Sequence, residues 1–428
     1  MNHNFKKYII FWLSQSVSQL GSAMTSFALI LWAYTQSHSA MTVSLMSFCN
    51  YVPYVLVSLV AGAFVDRHGK KQIMLVSDSV AAMSSAVILA LHLSDGLQIW
   101  NIYLINAVIG FMNAFQGPAS AVAVGRMVPE EKLANVSGMN SFSGNLVAVL
   151  SPVLASSLFA LGGLQVILLI DLGSFVIAFL VLLLLIRIPE RMDGGGGKKP
   201  SVLKGCIEGF AFLKKNKGIL MVVLTMALIN FFSRLTYENI LSPMILARSG
   251  NDSVALGIVN AAMGIAGILG GILVSLGKFS RNHVKMIYIS AGMSFLLGDL
   301  LMGAGRDVVW WMVAGVAASL PIPFINAGQN VILYQKVPGE MQGRVFAVRN
   351  ALQYSTIPVG ILLGGILADY VFEPFMRQKN AVTGLLCLIV GEGAGSGMAV
   401  MFLCTGILGA LISFLFYRNK ELRSLNEV

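Results

Sequence analysis

Twelve long apolar runs dominate this chain, at 8–34, 42–65, 73–93, 99–125, 134–160, 164–188, 218–247, 254–277, 286–304, 308–335, 345–372 and 399–417. A hydrocarbon core is crossed by ~20 apolar helical residues. No water reaches backbone N–H and C=O groups there, and these runs are too long for barrel strands, so each reads as a helix that satisfies its own backbone. Composition agrees: 56% of the 428 residues are hydrophobic and 11% are charged, where a soluble domain carries about 25% charged residues. The expectation is an all-α membrane protein with twelve transmembrane helices. Lys6 and Lys7 precede the first run, which is too long for a signal-peptide core and lacks a small-residue cleavage site, so it reads as a retained helix.

The basic residues set an orientation. Lys6, Lys7, Arg67, Lys70, Lys71, Arg126, Lys132 and the lysines of 198–217 would all share one side, whereas Arg248, Arg306, Arg377 and Lys379 fall on the other. Positive residues stay cytoplasmic, which places both termini in the cytoplasm. The net charge of +10 is spread over helix ends rather than gathered on one soluble face, so anionic lipid headgroups, not nucleic acid, are the expected partner. Cys49, Cys206, Cys387 and Cys404 have neither disulfide nor zinc spacing. No metal and no cofactor are expected.

Residues 189–217, "PERMDGGGGKKPSVLKGCIEGFAFLKKNK", form a Gly- and Lys-rich cytoplasmic linker with room for a short amphipathic helix near Val202 to Leu213. It separates an N-terminal six-helix bundle, 1–188, from a C-terminal one, 218–428. The halves resemble each other: "MVPEEKLANV" at 127–136 pairs with "KVPGEMQGRV" at 336–345, an offset of 336 − 127 = 209, and the same offset carries Gly62 onto Gly271. Parallel six-helix repeats point to a transporter with a site near the midplane.

Between the second and third runs stands "GAFVDRHGKKQIM". By the assigned orientation Asp66 sits at the C-terminal, negative end of its helix, which requires compensation by Arg67, another basic residue, or the positive start of a neighbouring helix. The run beginning after Arg344 is such a helix. Gly62, Asp66, Arg67, Gly69, Lys70 and Lys71 resemble the signature loop between the second and third helices of the major facilitator superfamily. That resemblance implies the major facilitator fold, two pseudo-symmetric bundles, and a cytoplasmic latch in which Asp66 and Arg67 take part. Asp78, near the inner end of the third helix, reads as part of that network rather than as a proton carrier. The second half keeps only a decayed copy, Ser275 standing in the Asp66 slot and Lys278 in the Gly69 slot.

Further stretches, among them "AFQGPASAVAVGRMVPEEKLANVSGMNS", "VLSPVLASSLF", "LIDLGSF" and "GEGAGSGMAVMF", resemble the macrolide-efflux branch of that superfamily. The resemblance implies a proton-driven exporter of drugs in the bacterial cytoplasmic membrane, and a monomer is the expected working unit. Two positions depart from the pattern. Asn106 stands where the fourth helix of related proteins often has an arginine, and the antiporter motif of the fifth helix survives only as Ser151-Pro152-Val153-Leu154-Ala155-Ser156.

Polar side chains inside a membrane turn away from lipid. Gln15 and Gln19 share a face of the first helix, Asn106 and Asn113 of the fourth, Asn230, Arg234 and Glu238 of the seventh, and Asn326 and Asn330 of the tenth. The resemblance implies that these four helices line a central cavity. Depth selects Gln19, Asn113, Asn230 and Asn326 as substrate contacts, with Gln15 on the same cavity face as Gln19, because amides both donate and accept; helix-to-helix adhesion is the alternative for each. Arg234 and Glu238 are expected to pair, with Glu238 a candidate proton carrier. Asp171 is either a second carrier or structural. The absence of an HExxH motif and of a phosphate-binding Gly-rich loop argues against an enzyme and against an ATP-driven pump. Rival readings are an exporter or importer of a native metabolite such as a siderophore, and a membrane sensor that no longer transports.

Overall fold

The computed structural model describes residues 3–128, 132–186, 188, 202–276, 282–378, 380–423 and 425, and among these the chain is helical without a strand. The first half comprises α1 (His3–Ser37), α2 (Ala40–Arg67), α3 (Lys70–Leu93), α4 (Ile99–Met127) and α5 (Leu133–Leu180). α5 is two spans in one, because Gly163 adopts φ 65°, ψ −165° and breaks the helical path, a conformation open to glycine and strained for other residues. After the linker come α6 (Val202–Lys215), α7 (Lys217–Thr236), α8 (Leu241–Ser249), α9 (Ser253–Ser275), α10 (His283–Met293), α11 (Leu300–Ala304), α12 (Val308–Ser319), α13 (Ile322–Lys336), α14 (Gly339–Ile366), α15 (Glu373–Met376), α16 (Ala381–Val390) and α17 (Ser396–Tyr417).

Among the described residues ten helical stretches are long and apolar enough to cross a membrane. One is the 48-residue stretch Gly138–Leu185 that contains the break at Gly163. The 35-residue α1, too polar to join the ten, brings the sum to the twelve anticipated runs. Outward-facing Leu161, Leu184, Leu388 and Leu415 are more than 60% exposed. Such surface is stable against lipid and not against water.

Chain contacts divide the protein into two compact units, Met1–Gly194 with Asp252–Ala261, and Gly195–Asn251 with Ala262–Val428. The boundary at 194/195 falls inside the 189–217 linker, of which 189–201 lie outside the described residues. In the first unit the start of α9 joins α5: Ser253 Oγ donates to Ser156 O at 3.3 Å, and Gly257 lies against Pro152 and Ser156. Here the small residues of the decayed antiporter motif permit close backbone approach.

Helix ends are satisfied by neighbouring charges and caps. Ser39 accepts from Thr42 N at 3.1 Å, Asp307 from Trp310 N at 3.0 Å, and Asn380 forms a reciprocal capping box with Thr383. Lys71 Nζ donates to Leu183 O and Ile186 O at 2.9 and 2.8 Å, neutralising the C-terminal end of the sixth span. In the second unit Arg248 and Arg306 donate to Val390 O and Leu388 O at the end of α16, while Glu373 accepts from Met398 N at the start of α17. Each charge sits at the helix end whose dipole it opposes.

Candidate functional site

Each unit carries a polar cavity open to one side. The first, about 740 Å³, is lined by Tyr8, Trp12, Gln15, Ser16 and Gln19 of α1, Gln116 and Ser120 of α4, and Asn140, Ser141 and Ser143 of α5. Aromatic and amide groups alternate on α1 because residues three and four apart share a helical face. Tyr8 Oη donates to Asn140 Oδ1 at 3.3 Å, and Ser143 Oγ to Ser16 Oγ at 2.7 Å. Gln116 Nε2 donates to Asp78 Oδ1, with Gln15 beside the same carboxyl group. Trp12 Nε1 and Gln116 Oε1 are buried without a hydrogen-bond partner in the protein, and buried Gln15 Nε2 and Asp78 Oδ2 make no well-formed bond although the two side chains interact.

The second cavity, about 570 Å³, is lined by Asn230, Ser233, Arg234 and Tyr237 from α7 and the turn after it, by Asp299, and by Asn326, Gln329, Asn330, Arg349, Asn350 and Gln353 from α13 and α14. Arg349 donates to Asn330 Oδ1 and to Asn350 Oδ1, at 3.0 Å and 2.9 Å from its two terminal nitrogens. Four of its lining residues carry a buried polar atom without a well-formed hydrogen bond: Gln329 Nε2 and Gln353 Nε2, and Tyr237 Oη and Asp299 Oδ1, which interact with each other. Buried polar atoms are nearly always paired. That so many of the exceptions gather around these two cavities is what a site completed by a polar ligand looks like.

The backbone around the second cavity is irregular. α7 stops at Thr236, and Tyr237–Ile240 form a turn before α8; residues 294–299 form a π-helical stretch; and α12 gives way to α13 around Leu320 and Pro321. Non-helical backbone at membrane depth is tolerated where it is buried in protein or faces a cavity. Ser294 Oγ donates to Ala318 O at 2.7 Å and Asn239 Nδ2 to Ile361 O at 2.9 Å, each compensating a broken stretch.

The residues expected from the sequence distribute as follows. Gln15 and Gln19 line the first cavity; Asn230, Arg234 and Asn326 line the second; Asn113 is exposed and lines neither. Arg234 and Glu238 form an ion pair, both side chains partly exposed. Asp171 accepts from Ser22 at 3.1 Å on Oδ1 and from Thr25 and Ser85 at 3.0 and 2.8 Å on Oδ2. The close passage of α1 over α5 makes this possible, since a Cβ on Gly21 would come within 3.1 Å of Asp171 Cα.

Of the supposed latch, Gly62, Asp66 and Arg67 fall in the last turns of α2, with their side chains outside the described residues. Gly69 precedes α3, Lys70 is buried, and Lys71 engages the sixth span. Arg344 pairs at 2.6 Å with Glu208 of the linker helix α6. Asp299 was not anticipated, although a lone acid in the run "SFLLGDLLMG" is itself the signal of a polar task at membrane depth.

A family profile described as Major Facilitator Superfamily matches residues 11–361. The chain belongs to that superfamily. Macrolide efflux protein A of Streptococcus pyogenes is 27% identical over 376 residues, covering 86% of this chain and 91% of that protein. The multidrug efflux pump Tap of Mycolicibacterium fortuitum is 25% identical, covering 82% and 86%. Among solved structures the nucleoside transporter NupG overlays with a TM-score of 0.71 at 15% identity, covering 98% of this chain and all of that one. A bacterial homologue of the iron transporter ferroportin, in its inward-facing state, gives 0.66 at 14%. These likenesses establish the major facilitator fold. The protein is a multi-pass transporter of small molecules in a bacterial membrane.

Proposed function

We propose that this superfamily member exports drug-like small molecules, macrolides among them, from the cytoplasm in exchange for protons, exposing its site to each side of the membrane in turn. The observation that carries the reading is the concentration of amide and hydroxyl groups without a well-formed hydrogen bond around two roomy cavities, bordered by aromatic side chains. Amides that donate and accept with equal ease suit ligands of varied functional groups, and a flexible mixture of aromatic and polar contacts suits weakly specified recognition. Similarity to macrolide and multidrug efflux proteins over most of the chain supports the same direction and substrate class. In this reading Gln15 and Gln19 in one unit, and Asn230 and Asn326 in the other, contact substrate. The Arg234–Glu238 pair steadies the end of α7, and the α2–α3 loop with Arg344 governs cytoplasmic gating. Both termini are cytoplasmic, and the working unit is a monomer.

Everted membrane vesicles test the proposal. An acidic interior should drive uptake of a macrolide or a fluorescent cationic dye, and expression in an efflux-deficient host should lower susceptibility to the same compounds. Uptake that requires the opposite gradient would identify an importer, and unchanged susceptibility with no uptake would leave the chain without an export function.

A further inference from the structure

We infer that Asp299, positioned by Tyr237, is the residue that takes up and returns the coupling proton. The inference rests on the proton-exchange reading above. Asp299 is fully buried within its span and borders the second cavity. One oxygen, Oδ2, accepts from Thr405 Oγ1 at 2.7 Å. The other, Oδ1, makes no well-formed hydrogen bond, and the buried Tyr237 hydroxyl, which makes none either, interacts with this carboxyl group.

An anionic carboxylate held by one well-formed hydroxyl bond and no adjoining cation is costly at membrane depth. The groups that face it are the Thr405 hydroxyl from α17 and the Tyr237 phenol from the end of α7. The cations bordering the same cavity are engaged elsewhere: Arg234 with Glu238, and Arg349 with the Asn330 and Asn350 amides. A proton on Oδ1 resolves the mismatch. The acid O–H then donates to the Tyr237 oxygen, and when the proton leaves, the Tyr237 O–H turns to donate to Oδ1, since a phenol does either. Each state retains one hydrogen bond between the two groups, and the proton itself passes to or from cavity water.

The location suits exchange with the two sides. Asp299 ends the π-helical stretch 294–299, and Tyr237 opens the turn that interrupts α7 and α8. Broken helices at membrane depth are where transporters place ion sites. By contrast, Asp171 has donors on both oxygens, and Glu238 is held by a guanidinium. Neither needs a proton to be satisfied.

The test uses the purified full-length protein and its proteoliposomes, with Asp299→Asn, Asp299→Glu and Tyr237→Phe. Infrared spectra recorded across a pH titration should show a protonated-carboxyl stretching band that is absent in Asp299→Asn and displaced in Tyr237→Phe. In vesicles, Asp299→Asn should lose dye uptake driven by a pH gradient while keeping dye-for-dye exchange at equal pH on both sides. Asp299→Glu should recover part of the driven uptake, which guards against misfolding of the amide variant. Gradient-driven uptake intact in Asp299→Asn, a carboxyl band that survives that substitution, or uptake driven by sodium at constant pH would each overturn the assignment. If wild-type vesicles show no response to a pH gradient, the antiport reading falls. The infrared band still decides whether Asp299 holds the proton.

Discussion

Each unit ties its first, third and sixth spans together around an aspartate, and the two junctions are built to opposite ends. In the first unit the acid is Asp171 on the sixth span, surrounded by Ser22 and Thr25 of α1 and Ser85 of α3. In the second it is Asp299 on the third span of that unit, met by Thr405 of α17 and by the Tyr237 hydroxyl beside it. Three hydroxyl donors saturate Asp171, which does not line the first unit's cavity; one well-formed hydroxyl bond holds Asp299, which lines the second. The same device therefore serves as a bolt in one unit and as an exchange site in the other. What separates them is the count of donors and the state of the surrounding backbone, continuous at the first junction and broken at the second.

Removing the bolt should have the largest effect. Asp171→Ala leaves three hydroxyls, two of them buried, without their acceptor and opens a gap between α1 and α5, at a cost of about 1–3 kcal/mol for each buried hydroxyl left unsatisfied. The melting temperature of the purified protein in detergent should fall well below that of Asp299→Asn. If Asp299→Asn proves the less stable of the two, the contrast between bolt and exchange site is wrong.

A smaller substitution brings the first junction closer to the second. Ser22 is the donor to Asp171 Oδ1, so Ser22→Ala gives Asp171 an oxygen with no well-formed hydrogen bond, like Oδ1 of Asp299. An unsatisfied buried acceptor costs about 1–3 kcal/mol, and the exposed position of Ser22 favours the lower end of that range. Stability should drop accordingly in the same melting assay, with uptake per folded molecule unchanged. A change in the driving-ion dependence of uptake would mean that a bare oxygen alone, without the cavity and the broken helices, is enough to create an exchange site.

The spans were legible because lipid imposes one rule on every residue of a run: 99–125 corresponds to Ile99–Met127, and 254–277 to Ser253–Ser275. Pairing at helical spacing was legible too, as Arg234 and Glu238 show. The interruption at Tyr237–Ile240 was not, since "TYEN" contains neither glycine nor proline, and the contact made at the break, Asn239 to Ile361 O, comes from another helix. Asp299 was written plainly as an acid among leucines. Its significance lies in which of its oxygens lacks a well-formed hydrogen bond, and that depends on three helices far apart in the chain.

The smallest expected effect separates hydroxyl loss from carboxylate loss. Ser174 lies one turn beyond Asp171 and is equally buried, yet its Oγ donates at 2.8 Å to the backbone carbonyl of Asp171, not to the side chain. That carbonyl already belongs to its helix, and such back-bonding adds little to a helix and often bends it. Ser174→Ala should therefore change stability by no more than about 0.5 kcal/mol, with the melting curve nearly superimposed on that of the wild type. A loss as large as that of Ser22→Ala would show that the first junction depends on packing against Gly21 rather than on the donors to its carboxylate, and the comparison with Asp299 would then have to rest on the cavity and the broken helices alone.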